Sequence, residues 1–197
     1  MKTIIFDYAG VITPTKDKSD FAKQYHERFN MSFSELMNIL YEDWNQASIG
    51  KISDKQYWEN LGKKLNIDIG EIKKLIMDTF PIDQRIIKII DQIKGRYTLV
   101  MVSNQIEDWL EKVIDDNNLR DKFDYFVNSY QVEVKKPNRE IFLIALAKSN
   151  SKPEETLFID DSYKNFISAK QLGLLTIQFD SYEQFIVQLK KIINLNK

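Results

Sequence analysis

Three short apolar runs in the chain each end abruptly in polar residues. Ile4-Ile5-Phe6 is closed by Asp7 and a turn at Gly10, Leu99-Val100-Met101-Val102 by Ser103-Asn104, and Leu157-Phe158-Ile159 by Asp160-Asp161. Unbroken apolar runs of this length suit central parallel strands buried on both faces. Tyr125-Phe126-Val127 and Leu174-Leu175-Thr176-Ile177 are weaker strand candidates. Helical spacing fills the gaps. Ile86, Ile87, Ile90 and Ile93 form a stripe before the second run, and Ile106, Leu110, Val113 and Ile114 follow it. Ile141, Ile144, Ala145 and Lys148 sit on a further helix after Pro137. Ile167, Ala169 and Leu172 precede Gly173, a glycine helix stop. Strands alternating with helices predict an α/β fold, a parallel sheet with helices on both faces.

The stretch from about Thr15 to Thr79 breaks this rhythm and shows no strand pattern. Ser32-x-x-Glu35 and Ser53-x-x-Gln56 open helices as capping boxes. Leu36, Leu40 and Trp44 recur at helical spacing, as do Tyr57, Leu61 and Leu65. The pattern predicts an all-helical insert, residues 15–79, between the first strand and the remaining core, residues 1–14 and 80–197. Pro14 and Pro81 lie near the two junctions.

Composition narrows the class. The 197 residues carry 28 Lys+Arg against 29 Asp+Glu, a formal net charge of -1, which argues against a dedicated nucleic-acid binder. With 43% hydrophobic residues the chain is not of disordered type, and the absence of cysteine excludes disulfides, thiolate metal sites and cysteine catalysis. No apolar run approaches the ~18 residues of a membrane span. Asp7 interrupts the N-terminal run too early for a signal peptide. These features predict a cytoplasmic protein with no membrane partner.

Ligands of open parallel sheets bind beyond the carboxyl ends of the strands. The residues predicted there are Asp7, Ser103, Asn104, Asp160 and Asp161, with Lys136 before Pro137 in a loop. Two or three carboxylates form a hard oxygen site for Mg²⁺. Ser103, backbone amides and a lysine form a phosphate cradle. Together they suggest phosphoryl transfer to an aspartate nucleophile. Each piece alone has a plainer explanation. Asp7 and Ser103-Asn104 are ordinary turn residues, Asp160-Asp161-Ser162 can cap a helix, and Lys136 can be a solvated loop lysine. Their order, spacing and shared location change the reading.

In that order the pieces Ile4-Ile5-Phe6-Asp7-Tyr8-Ala9-Gly10-Val11-Ile12, Val102-Ser103-Asn104, Lys136-Pro137-Asn138-Arg139-Glu140-Ile141-Phe142 and Phe158-Ile159-Asp160-Asp161-Ser162-Tyr163-Lys164-Asn165 resemble the four motifs of the haloacid-dehalogenase-like (HAD) superfamily. The resemblance covers nearly the whole chain and leans toward the branch of small sugar-phosphate phosphatases, such as the glucose-1-phosphate phosphatases. It implies a Rossmann-like core with an inserted C1-type helical cap, and a Mg²⁺-dependent phosphatase acting on a small phosphorylated metabolite. Asp7 would be nucleophile and metal ligand. Ser103 and the Asn104 backbone amide would hold the phosphoryl group. Lys136 would neutralise phosphate charge and keep Asp7 ionised. Asp160, Asp161 and the backbone carbonyl of Ala9 would complete the Mg²⁺ site.

Ala9 departs from the pattern. Most family phosphatases carry there a second aspartate that protonates the leaving oxygen and then activates water. A methyl group cannot do this, and such acid–base work is typically worth about 10²–10⁴-fold in rate. Three readings stay open: a phosphatase of the branch lacking this aspartate, which would favour good leaving groups; a phosphonatase-like hydrolase, which also has alanine there and uses a cap lysine; or a weakened protein kept for phosphate binding or interaction. A 2-haloacid dehalogenase also lacks the aspartate, but its last motif lacks the paired carboxylates that Asp160-Asp161 supply. Lys51, after Gly50, is the sequence's candidate for a cap lysine, but in a lysine-rich insert a solvated role suits it better. His26 reads as a surface residue. Trp44, Tyr57, Trp58 and Trp109 read as packing residues, one of which can line a substrate pocket. Phe185, Leu189 and Ile193 read as the inward face of a lysine-rich terminal helix.

Overall fold

The computed structural model describes residues 1–193 and 195. Five parallel strands form one sheet in the order β3-β2-β1-β4-β5. β1 (Thr3–Phe6) is central and fully buried, between β2 (Thr98–Ser103) and β4 (Thr156–Asp160). Ile5 pairs in register with Val100 on one side and Phe158 on the other. β3 (Tyr125–Asn128) and β5 (Leu175–Gln178) are the edges, where Tyr125 and Leu175 are exposed.

The two-residue period of β1 divides its side chains between two cores. Ile4 and Phe6 enter the larger one, covered by α6 (Gln84–Ile93), α7 (Glu107–Asp116) and α11 (Tyr182–Ile192). Ile5 enters the other, with Val132 of the short α8 (Ser129–Val132), under α9 (Arg139–Lys148) and α10 (Tyr163–Gln171). The isoleucine stripe of α6 and the terminal residues Phe185, Leu189 and Ile193 are buried. Gly173 follows α10 with φ +89°, the left-handed geometry a glycine stop adopts.

Residues 15–79 hold five helices and no strand: α1 (Ser19–Tyr25), α2 (Phe33–Glu42), α3 (Trp44–Ala47), α4 (Asp54–Leu65) and α5 (Ile69–Asp78). The Ser32–Glu35 capping box is complete: Ser32 Oγ accepts from Glu35 N–H at 3.2 Å, and Glu35 Oε2 accepts from Ser32 N–H at 2.8 Å. Ser53 Oγ accepts from Gln56 N–H at 3.2 Å. The helices bury Leu36, Leu40, Tyr57, Leu61, Ile72 and Ile76, while Trp44 is half-buried.

The two ends of the insert are tied together, because the Thr15 hydroxyl donates to the Thr79 carbonyl at 2.5 Å. Its helices also rest on the strand-end side of the sheet. Ser129 Oγ donates to Ser48 O at 2.5 Å, and Lys135 Nζ to Asn45 Oδ1 at 2.7 Å. Trp58 Nε1 donates to Asp108 Oδ1 at 3.0 Å. Trp109 packs against Trp44, Trp58 and Phe80, with ring centroids 5.0–6.2 Å apart. The predicted packing role of these aromatics agrees with the contacts. Among the described residues no helix is long and apolar enough to cross a membrane.

Candidate active site

The central strands all run the same way, so their closing residues meet at one edge. Asp7 leaves β1 with its N–H still in the sheet ladder, donating to Ile159 O at 2.9 Å. Asp160 ends β4 and Ser103 ends β2. One oxygen each from Asp7, Asp160 and Asp161 lies within 4.8 Å of the others. Lys136, in the loop before α9, reaches into this cluster, with Nζ 2.6 Å from Asp7 Oδ1 and 2.8 Å from Asp160 Oδ2. Asp7, Ser103, Lys136 and Asp160 are all buried, while Asp161 is half-buried.

Surrounding groups fix these side chains. Asn165, in the first turn of α10, donates from Nδ2 to both oxygens of Asp160 at 3.0 Å, and Ser162 N–H donates to Asp160 Oδ1 at 2.8 Å. The Asn104 side chain spans the loop of Lys136. Its Nδ2 donates to Lys136 O at 2.9 Å, and its Oδ1 accepts from Lys136 N–H at 2.8 Å. Asn104 therefore positions the loop of Lys136 with its side chain. Gly10 has φ +87°, and a Cβ there would lie 2.4 Å from Asp161 Cγ, so the glycine is required on both counts.

Burial, then the charge of Asp160, holds the Asp7 carboxyl well above the usual carboxylate range, against the pull of Lys136. Burial and Asp160 likewise raise Asp161, although Lys16 opposes them from 3.4 Å. Burial depresses Lys136, but Asp160 and Asp7 outweigh it and leave the ammonium above the ordinary lysine range. Lys136 pulls Asp7 toward its ionised form, but one ammonium does not balance three converging carboxylates. A divalent cation fits this donor set of carboxylate oxygens, and its charge would favour the ionised form of Asp7.

On the insert side lies a cavity of about 100 Å³ lined by Ala9, Lys18, Tyr41, Trp44, Asn104 and Trp109, among others. Lys18 passes unnoticed in the sequence, where Lys16-Asp17-Lys18-Ser19-Asp20 reads as a solvated stretch. It is only 2% exposed, and among the described residues its Nζ has no hydrogen-bond acceptor. Lys51, the lysine the sequence offered, is exposed and does not line this cavity. His26, expected at the surface, is half-buried, with Nδ1 3.1 Å from Met31 O, and belongs neither to the carboxylate cluster nor to the lining of this cavity.

Residues 1–173 match the family described as haloacid dehalogenase-like hydrolase. The chain belongs to this family. The HAD-like hydrolase match agrees with the motif resemblance, and the parallel five-stranded sheet with flanking helices is the fold it implied. D-ribitol-5-phosphate phosphatase of Bacteroides thetaiotaomicron is 27% identical over 206 residues, covering 98% of this chain and 99% of that protein. A sesquiterpene phosphatase of Aspergillus oryzae is 24% identical over 202 residues, covering 98% and 96%. In fold, this HAD hydrolase resembles a HAD-family enzyme of B. thetaiotaomicron, solved as an aspartate-to-alanine variant with magnesium and inorganic phosphate. The TM-score is 0.79 at 19% identity, covering 94% of this chain and 98% of that one.

Proposed function

We propose that this HAD hydrolase is a Mg²⁺-dependent phosphatase that cleaves a small organic phosphomonoester through an aspartyl-phosphate on Asp7. The observation that carries the reading is the convergence of Asp7, Asp160 and Asp161 within 4.8 Å, with Lys136 inserted between two of them. The phosphatase names of the two relatives, and the magnesium and phosphate bound in the structural neighbour, support it.

Asp7 Oδ attacks phosphorus and the ester P–O bond breaks. Water then attacks the phosphoryl group on Asp7, which releases phosphate and restores the carboxylate. Ser103 and the Asn104 amide bind phosphoryl oxygens, and Lys136 neutralises their charge. Asp7, Asp160, Asp161 and the carbonyl of Ala9 would hold the Mg²⁺, which when bound supplies positive charge to the transferring group. Residues 15–79 act as a cap over the core of residues 1–14 and 80–197, excluding water and selecting the substrate. A cavity of about 100 Å³, well below the ~300–1,000 Å³ of drug-sized sites, admits a leaving alcohol of only a few carbons unless the cap moves.

Hydrolysis of phenyl phosphate and of a panel of small phosphorylated metabolites, with and without Mg²⁺, tests the reading. The expected result is Mg²⁺-dependent release of phosphate that Asp7→Asn abolishes in a folded protein. Turnover that survives Asp7→Asn would contradict it.

Lys18 supports a second, phosphonatase-like reading, since a buried amine beside Ala9 can condense with a carbonyl substrate. Borohydride reduction in the presence of phosphonoacetaldehyde separates the two. Phosphomonoester chemistry leaves Lys18 unmodified, and the second reading yields a reduced adduct on it.

A further inference from the structure

Lys18 is a buried charged side chain beside the site that the phosphatase chemistry above leaves unused. Its ammonium stands 3.0 Å from the centroid of the Trp44 ring and 4.5 Å from that of Tyr41, with Tyr57 behind at 5.6 Å. Aromatic faces attract a cation but accept no ordinary hydrogen bond. Among the described residues its N–H donors are therefore buried with no oxygen or nitrogen acceptor, an arrangement that is costly for a charged group. Such a group persists where something that binds the site supplies the acceptor. The cavity that holds it also exposes Ala9 and Asn104, which follow the ends of β1 and β2 beside the nucleophile. The small methyl of Ala9 leaves room where a longer side chain would project.

We propose that Lys18 is the catalytic acid and base of this hydrolase, donating a proton to the leaving oxygen of the ester and then taking one from the attacking water. The inference rests on the phosphatase reading above. In the first half-reaction Asp7 Oδ forms its bond to phosphorus and the P–OR bond breaks. The electron pair stays on the alkoxide oxygen, and Lys18–NH₃⁺ gives it a proton, releasing ROH and Lys18–NH₂. In the second half-reaction water adds to phosphorus as the P–Oδ bond of Asp7 breaks. The water proton returns to Lys18–NH₂ and phosphate leaves.

Electrostatics suit an amine that cycles. Burial pushes the Lys18 pKa well below the ordinary lysine range, Asp17 opposes that shift, and Lys135 adds to it. The other ionisable groups around the cavity are Lys16, Tyr41 and Tyr57. Burial raises both tyrosines, so they stay neutral across the working range and leave proton exchange to the amine. Catalytic lysines are tuned downward in this way toward operating pH.

Acetyl phosphate and ethyl phosphate are a matched pair small enough for the cavity. Acetate leaves without a proton, whereas ethoxide requires one. We expect Lys18→Met to lower kcat/KM for ethyl phosphate by about 10²–10⁴-fold, while kcat/KM for acetyl phosphate falls less than about tenfold. Both values report only the first half-reaction; kcat, which includes the shared water attack, falls for both substrates. Lys18→Arg keeps the charge but cannot deprotonate, so it should not restore ethyl phosphate turnover. In the wild type, kcat/KM for ethyl phosphate should fall as pH rises through the lowered lysine pKa, and the acetyl phosphate profile should lack that limb. Equal losses of kcat/KM for the two substrates, no loss for either, rescue by arginine, or a phosphonoacetaldehyde adduct on Lys18 trapped by borohydride would each overturn the assignment, while wild-type acetyl phosphate turnover stays as evidence for the phosphatase. A wild type that hydrolyses neither substrate with Mg²⁺ would overturn both.

Discussion

The Lys136 ammonium lies 2.6 Å from Asp7 Oδ1, with both groups buried at the carboxyl end of the central strand. The same nitrogen reaches Asp160 at 2.8 Å, so one cation joins the closing residues of two strands. Its removal leaves two buried carboxylates facing each other. Lys136→Met should cost about 3–5 kcal/mol in the metal-free protein and lower turnover by about 10²–10³-fold or more. Urea denaturation beside a phosphatase assay reads both, and unchanged stability would show that the lysine is not the counter-charge described.

Mg²⁺ should stabilise the folded chain by mass action. At a hundredfold excess over Kd the gain is about 2.7 kcal/mol. Asp161, half-buried and near two like charges, is the carboxylate whose replacement disturbs packing least. Asp161→Asn should weaken the Mg²⁺-induced rise in Tm and, by removing like-charge repulsion, leave the metal-free Tm unchanged or higher. A full Mg²⁺ response in this variant would remove Asp161 from the metal site.

Gly10 keeps Asp161 where it is. A Cβ at position 10 would fall 2.4 Å from Asp161 Cγ, on a backbone with φ +87°. Gly10→Ala therefore adds backbone strain of about 1–3 kcal/mol and displaces the carboxylate. Mg²⁺ affinity measured by calorimetry should fall more than for a glycine replaced elsewhere, such as Gly95, where nothing lies within 4 Å. Equal affinities for Gly10→Ala and Gly95→Ala would contradict this role.

Asp54 couples the insert to the core, accepting from the Asp108 backbone N–H at 2.6 Å. Burial, reinforced by the charge of Asp108, pushes the Asp54 pKa up to about 6 even though the Asp108 N–H favours the carboxylate. The folded state then binds its proton more tightly than the unfolded chain, so stability falls as pH rises from about 4 through 6. Asp54→Asn keeps an acceptor for the N–H and removes the titration. Its stability relative to wild type should increase between pH 4 and 7 in denaturant titrations. A constant difference across that range would refute the assignment.

What was legible in the chain follows from burial. The runs closed by Asp7, Ser103 and Asp160 are central strands, enclosed on both faces, so nearly every residue is apolar and the polar stop stands out. Tyr125 and Leu175 lie on edge strands exposed to solvent, and their segments read weakly for that reason. The insert's capping residues Ser32 and Ser53 act locally and could be read directly. Lys18 could not. Its burial comes from Tyr41, Trp44 and Tyr57, which are 23 to 39 positions away in the chain and converge only in the folded insert. Asn165 was visible within the last motif, but its double hydrogen bond to Asp160 depends on how the first turn of α10 faces β4.

The central claim is that Asp7 carries the phosphoryl group. Mixing the protein with acetyl phosphate and Mg²⁺, quenching in acid within one turnover and mapping the peptides by mass spectrometry tests it directly. The account predicts one hydroxylamine-labile phosphoryl group on the peptide containing Asp7, absent in Asp7→Asn. Phosphate release with no covalent species on that peptide, or with the label on another residue, would contradict it.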